Sequence, residues 1–194
     1  MKPLEDKLIT DEMSFKIIET AENLVTANGA RNINVRQILK ELEITNRVFY
    51  NRFHNIKEVL DIIYKNTIMK IRESIPENFE ANTKEEFFDN VTDIVVCSLM
   101  SSYDYKMKFN QYIFENDSLS NSNTKWWCDK IKFLLDYAME KGYVKQLDSK
   151  ILSYSIWCFV RGYNADAVGR NLPREEAVEI FKYSFNFLLE GIKS

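Results

Sequence analysis

The chain is short of turn formers. Its 194 residues include only five glycines and three prolines, where average usage of the two together is roughly one residue in eight. A sheet-rich fold needs a turn about every 8–12 residues, and too few of the residues that make turns are present. The shortage predicts an all-α fold. With 45% apolar and 28% charged residues, the composition is that of a folded globular protein rather than a disordered chain. The length suits one large domain or two small ones with real cores.

Apolar residues recurring at three and four positions divide the chain into about nine helices. Asp11 caps a first helix reaching Ala27, in which Phe15, Ile18, Ala21, Leu24 and Val25 form one stripe. Asn28-Gly29 stops it, Gly29 being free to adopt a left-handed conformation. Asn34 caps a short helix with Val35, Ile38, Leu39 and Leu42 on one face. After Glu43-Ile44, Thr45 caps a second short helix, Asn46 to Phe53, with Val48, Phe49 and Phe53 inward. His54-Asn55 breaks it, and a longer helix runs from Ile56 to Ser74 with Val59, Leu60, Ile63 and Ile71 on its core face. Pro76 and the polar stretch to Asn82 mark a boundary between domains 1–74 and 75–194. Beyond it the spacing predicts helices over 83–101, 103–115, 123–141, 148–168 and 173–192. Thr83 with Glu86 makes a capping box, Asp148 with Ser149 caps the next-to-last helix, and Pro173 occupies the first turn of the last.

Several function classes drop out. No apolar run approaches the roughly 18 residues that span a bilayer. Met1 to Thr10 carries charges of both signs and no apolar block, which predicts no signal peptide. Cys97, Cys128 and Cys158 are odd in number and widely spaced, a pattern of reduced thiols in a cytoplasmic protein rather than of a disulfide framework or zinc site. His54 is the only histidine, so chemistry needing two imidazoles is excluded, and His54 itself reads as a surface loop residue. There is no Glu-x-x-His metal pair and no glycine-rich phosphate loop. No enzyme activity, cofactor or metal is expected.

Charge is distributed unevenly. The net charge is −3, yet Arg31, Arg36, Lys40, Arg47, Arg52 and Lys57 face only Glu41 and Glu43 within residues 31–57. A phosphate-binding surface needs local positive potential, not a basic protein. Two short helices joined by three or four residues, with basic and amide residues opening the second, suggest a helix-turn-helix.

Residues 11–64 resemble the DNA-binding domain of the tetracycline-repressor (TetR) family. The resemblance rests on Ile17 through Gly29, then Asn34-Val35-Arg36-Gln37-Ile38, then Ile44 through Phe53. Its most specific part is Phe49-Tyr50 followed by Phe53, Lys57 and Leu60. Three positions depart from the family's habit: Glu43 stands where Gly is common in the turn, Leu39 where Ala is common, and Lys57 falls one residue late, behind Ile56. The resemblance implies a recognition helix entering the major groove by its N-terminal end, with Thr45, Asn46 and Arg47 there and Asn51 a turn further on. Asn and Arg suit bidentate contacts to adenine and guanine. Arg36 and Gln37 open the preceding helix within reach of a phosphate or a flanking base. Tyr50 and Lys57 are placed for backbone phosphates. Tyr50 alternatively packs on the first helix, and Arg52 has two candidate partners, DNA or the acids Glu19 and Glu22.

The resemblance further implies a larger helical ligand-binding and dimerisation domain. Residues 103–163 are rich in aromatics, among them Tyr105, Phe109 and Phe114. Tyr112, Trp127, Trp157 and Asn164 are the candidate ligand contacts, and core packing is the competing reading for each. The ligand expected is apolar or stacks on aromatic rings. The last helix carries a stripe of Ala177, Ile180, Phe181, Ser184, Phe185 and Leu188, and the family pairs its last two helices with their symmetry mates. The expected protein is thus a homodimeric repressor of a palindromic double-stranded operator, released by a small molecule and bound to no membrane. The alternative is a ligand-independent DNA-binding regulator whose larger half is solid core.

Overall fold

The structure, a computed structural model, describes residues 8–73, 75, 79–104, 112–113, 116 and 121–194. It is all-α. Eight α-helices are described: α1 Glu12–Asn28, α2 Val35–Glu41, α3 Asn46–Tyr50, α4 Ile56–Glu73, α5 Lys84–Asp104, α6 Asn121–Glu140, α7 Ser149–Gly169 and α8 Arg174–Ile192. A 3-10 turn, Ala30–Asn32, follows α1, and one isolated β-bridge joins Val144 to Lys193. The helix predicted over 103–115 falls mostly outside the described residues, as do Tyr105, Phe109 and Phe114. The chain divides into two compact units, one ending at Lys70 and one running from Ile71 to Ser194. The division lies inside α4, a few residues before the boundary read from the sequence, because no helix breaker precedes Pro76.

In the first unit the polar caps are explicit. Asp11 Oδ1 accepts from the Ser14 N–H at 3.0 Å, and Ser14 Oγ accepts from the Asp11 N–H at 3.2 Å. Gly29 closes α1 with a φ of 85°, where a side chain would be strained, and donates to the Val25 carbonyl. Asn34 and Gln37 form a reciprocal box at the start of α2, with bonds of 3.2 and 2.8 Å. Asn55 caps α4 by accepting from the Glu58 N–H at 3.0 Å, a role the sequence reading gave only as a break. Thr45 stands at the N-cap position of α3, yet its side chain makes no capping bond. Its carbonyl instead accepts from the Val48 and Phe49 N–H groups. Regular α3 ends at Tyr50, short of the predicted Phe53. Arg52 and Phe53 still donate to the Phe49 carbonyl, so Phe53 remains buried.

The core of this unit includes Ile17, Ala21, Val25, Ile38, Phe49, Phe53, Val59, Leu60 and Ile63. The buried face of α1 is Ser14, Ile17, Ala21 and Val25, one position round from the predicted stripe, and Phe15 is 64% exposed. Spacing determines a helix's period. When apolar residues cover more than one face, the phase is decided by what the helix packs against.

The second unit is built from long helices. The α6 helix packs along α7, and α5 packs on α7 and α8. Phe87, Phe88, Leu99, Leu135, Val160, Phe181 and Phe185 belong to one buried cluster. Phe159, Phe181 and Phe185 stack with centroids 5.4–6.3 Å apart. The buried ends of two tyrosines are satisfied: Tyr103 Oη donates to the Leu172 carbonyl at 3.1 Å and Tyr163 Oη to the Ala177 carbonyl at 2.7 Å. Thr83 and Asp148 cap α5 and α7 as expected, while Pro173 stands at the N-cap of α8 rather than in its first turn. The predicted stripe on α8 splits. Ala177, Phe181 and Phe185 are buried, whereas Ile180 and Leu188 are exposed. With Tyr183 and Phe187, and with Ile151 and Tyr154 on α7, they form exposed apolar faces.

Candidate nucleic-acid interface and ligand cavity

The helix pair α2–α3 is joined by Leu42, Glu43, Ile44 and Thr45, and its turn shows why glycine suits the position of Glu43. Glu43 has a φ of 52°, and the Ile44 N–H reaches back to the Leu39 carbonyl at 3.0 Å. That bond is the helix-ending motif in which one left-handed residue reverses the chain. Gly142 and Asn171, with φ of 71° and 56°, end α6 and α7 in the same way. Glu43 therefore keeps the turn geometry at a cost in backbone strain, on the order of 1 kcal/mol.

On this frame the predicted DNA-facing residues are largely exposed. Thr45, Asn46, Arg47, Tyr50 and Asn51 lie exposed on or beside α3, Arg36 is exposed in the first turn of α2, and Lys57 is exposed in the first turn of α4. Gln37 is half-buried, and its Oε1 is held by the Asn34 N–H, which leaves its amide NH2 to reach outward. Tyr50 is 51% exposed and meets the fully buried Phe49 edge-on at 5.3 Å. Phe49 in turn packs on Phe53 at 5.7 Å. A five-residue helix cannot hold itself, so these two buried rings anchor it.

Three charged contacts sort the basic residues. Arg52 is turned inward. Its Nε donates to Asp11 Oδ1 at 2.8 Å, its Nη2 pairs with Asp11 Oδ2, and its Nη1 donates to the Val48 carbonyl at 2.7 Å. The partner is the helix-capping Asp11, not Glu19 or Glu22. The Arg52 guanidinium beside Asp11 holds that carboxyl well below the usual carboxylate range. Lys57 makes an exposed pair with Asp61 at 2.8 Å, a contact of about 0.3–0.5 kcal/mol that a phosphate readily replaces. His54 is exposed beside Glu58, 3.2 Å from its carboxylate.

The second unit holds a cavity of about 60 Å³, where one water needs roughly 10–15 Å³ on the same kind of scale. Phe87, Phe88, Val91 and Ser98 of α5 line it, with Trp127 and Ile131 of α6, Trp157 and Val160 of α7, and Phe185 and Leu189 of α8. Trp127 and Trp157 are stacked, 5.6 Å apart and 14° from parallel, and Trp126 meets Trp127 edge-on at 4.8 Å. Of the four ligand contacts read from the sequence, Trp127 and Trp157 line this cavity, while Tyr112 and Asn164 are not among its lining residues. Asn164 is nonetheless buried, one turn after Val160, and its Oδ1 has no hydrogen-bond partner among the described residues. The α5 wall was missed, although Phe87, Val91, Ile94, Val95 and Ser98 carry the three-and-four spacing that marks one face. Lys130 was missed too, one turn from Trp127 on an otherwise apolar stripe.

The end of α4 belongs to this wall. Ile75 lines the cavity and is buried with Trp127 and Trp157, and Ile71 packs against them. Arg72 Nη2 donates to Asn123 Oδ1 at 2.9 Å, with its guanidinium 5.0 Å above the Trp126 ring. Burial pushes the Cys128 thiol up, which makes it a poor nucleophile at neutral pH. Among the described residues no cluster of His, Cys, Asp and Glu could hold a metal, and no helix is long and apolar enough to cross a membrane.

Solved structures match this architecture over nearly the whole chain. A TetR-family transcriptional regulator from Pectobacterium atrosepticum aligns at a TM-score of 0.66 and 14% identity, covering 94% of each chain. The chain has the TetR fold. The fatty acid degradation regulator FadR from Bacillus halodurans shares it at a TM-score of 0.64 and 19% identity, over 88% of this chain and 93% of that one. A Saccharomonospora viridis protein solved in complex with choline shares it at 0.69 and 14% identity, over 95% of this chain and 100% of its own. No protein-family model and no curated protein sequence matches the chain. At these identities the TetR fold is what the likeness establishes, and the function must be argued from the site.

Proposed function

We propose that this protein is a ligand-responsive transcriptional regulator, a homodimeric repressor that reads a palindromic double-stranded operator and leaves it when a small molecule fills the cavity. The observation that carries the reading is the α3 surface. Thr45, Asn46, Arg47, Tyr50 and Asn51 stand exposed together on a helix pinned from beneath by Phe49 and Phe53. Asn46 and Arg47 suit base edges, while Tyr50, Lys57 and Arg36 suit phosphates, with Gln37 and Thr45 beside them. The TetR fold of its structural neighbours supports the same reading. A cytoplasmic location follows from a DNA-binding role.

The exposed apolar faces of α7 and α8 support a dimer, since Ile151, Tyr154, Ile180, Tyr183 and Phe187 would be covered by a second copy. A twofold protein matches a palindrome. The cavity favours ligand control over the solid-core alternative. Its Trp127 and Trp157 are the leading ligand contacts, with Tyr112 and Asn164 as candidates for a ligand extending beyond the present walls. One structural neighbour is named for fatty acid degradation and another is bound to choline; both chemistries fit an apolar or ring-stacking site. Filling the cavity would displace Ile75 and Ile71, and α4 would carry that shift toward Lys57. Only a ligand that binds the DNA-free conformation more tightly can do this.

The test is selection from a random duplex library, with affinity then measured at several salt concentrations. An enriched inverted repeat whose affinity falls steeply with salt is the expected result. No enriched sequence, with or without added ligand, would remove the DNA-binding reading.

A further inference from the structure

The shortest helix carries the reading surface, so what fixes its direction matters. The α3 helix has five residues, and the carbonyls at a helix end have no partner within the helix. Two at this end are met from elsewhere. Arg52, just beyond the helix, donates from Nη1 to the Val48 carbonyl at 2.7 Å. The Ile9 N–H donates to the carbonyl of Asn51, the C-cap, at 2.9 Å. Both contacts lead to the start of α1. Arg52 Nε donates to Asp11 Oδ1 at 2.8 Å, and its Nη2 pairs with Oδ2. Ile9 is held there in turn, its carbonyl accepting from Ser14 Oγ at 3.1 Å. The Arg52 side chain is 12% exposed, which keeps it from a phosphate.

We propose that the Arg52–Asp11 bridge is a positioning device for DNA reading: it ties the C-terminal end of α3 to the N-cap of α1 and so sets the direction in which Asn46, Arg47 and Asn51 face the bases. The proposal rests on the DNA-binding reading above and names the residues that sharpen its sequence specificity. Burial of Phe49 and Phe53 is non-directional. It fixes how deep α3 sits, not how the helix is turned about its own axis. An arginine–carboxylate pair made through two donors is planar and directional. The guanidinium fork holds both Asp11 oxygens with two nitrogens and the Val48 carbonyl with the third, a geometry that a lysine ammonium lacks. Asp11 is itself fixed, because it caps α1 through the Ser14 N–H at 3.0 Å. The bridge therefore runs from the cap of one helix to the backbone of the other. A turned α3 loses the paired geometry that Asn and Arg need at a base edge, while the sequence-independent attraction to phosphates persists.

The full-length protein and its variants are titrated with the operator found by duplex selection, with operators altered at single base pairs, and with unrelated duplex, each at several salt concentrations. Arg52→Lys and Asp11→Asn should each reduce the preference for the operator over its altered forms by about tenfold, the size of one base contact. Affinity for unrelated duplex and the salt slope should stay as in the unaltered protein, since loss of a phosphate contact would lower that slope by about 0.9. Asparagine is also a good N-cap, so Asp11→Asn opens the bridge while α1 keeps its start. The double variant should lose no more than the larger single loss, because both substitutions open the same bridge. Ile17→Val is the control. It weakens the buried core of the same unit, leaves the bridge alone, and should keep the full preference. An unchanged preference in both single variants overturns the assignment, as does a uniform loss on every duplex with a lower salt slope. An equal loss of preference in Ile17→Val also overturns it, since stability rather than direction would then set the specificity. If selection yields no operator, the DNA-binding reading falls together with the proposal, whereas an unchanged preference in the variants removes the proposal alone.

Discussion

Up to Lys70 two short helices, α2 and α3, sit between longer ones and polar side chains fix the helix starts; from Ile71 on the described helices that begin there are all long and held by rows of apolar side chains. The α2 and α3 helices have seven and five residues, α7 and α8 have 21 and 19. In this region Asp11, Asn34 and Asn55 cap α1, α2 and α4, and the shortest helix, α3, depends on Phe49 and Phe53 beneath. That construction fixes where polar groups are displayed. The long ones bury Trp127, Phe181 and Phe185 and leave space between them. The first region is built to present side chains, the second to enclose apolar volume.

The sharpest way to break the contrast is to remove the anchor of the display. Phe49→Ala empties a fully buried position and should cost about 3–5 kcal/mol, seen as an early transition in urea unfolding with loss of operator binding. Arg47→Ala tests the display itself. Because Arg47 is exposed, the unfolding midpoint should stay put while operator affinity falls by about 1–3 kcal/mol, most at one base position. Equal losses for every operator variant would make Arg47 a phosphate contact instead.

The Asp11–Arg52 pair probes the caps. Arg52 holds the Asp11 carboxyl below its ordinary value, so the pair's contribution is complete above an aspartate's usual pKa near 3.9. It is lost as pH falls through the lowered native value. Asp11→Asn should lower the thermal midpoint at neutral pH and flatten its decline below about pH 4. An unchanged acid limb would show that other carboxylates set it. The smallest effect should be a gain. Glu43→Gly relieves the left-handed φ of 52° and should stabilise by about 1 kcal/mol in urea titration. A loss would mean that the Glu43 side chain contributes more than the strain costs.

The two regions also differed in how far they could be read from sequence. Caps are local, so Asp11, Asn34 and Asp148 were legible as caps, while the reciprocal partners Ser14 and Gln37 were not read. The turn at Glu43 was visible as a departure from glycine, but its backbone conformation was not. Thr45 had the right residue type for a cap that its side chain does not make. Faces were harder. Phe15 and Ile17 are both apolar, and only packing decides that Ile17 goes inward. On α8 the predicted stripe mixed Phe181 and Phe185, which are buried, with Ile180 and Leu188, which are exposed. The cavity was legible at Trp127 and Trp157, but its α5 wall and Lys130 emerge only when four helices distant in sequence are brought together.

The most direct test of the account couples its two halves in one cuvette. A fluorescent duplex carrying the selected operator is bound to the protein, a small apolar ligand chosen by its effect on tryptophan emission is added, and DNA anisotropy and tryptophan emission are followed together. The account predicts that operator affinity falls at least tenfold, over the same concentration range in which the cavity tryptophans saturate. Saturated tryptophans with operator affinity unchanged would contradict it.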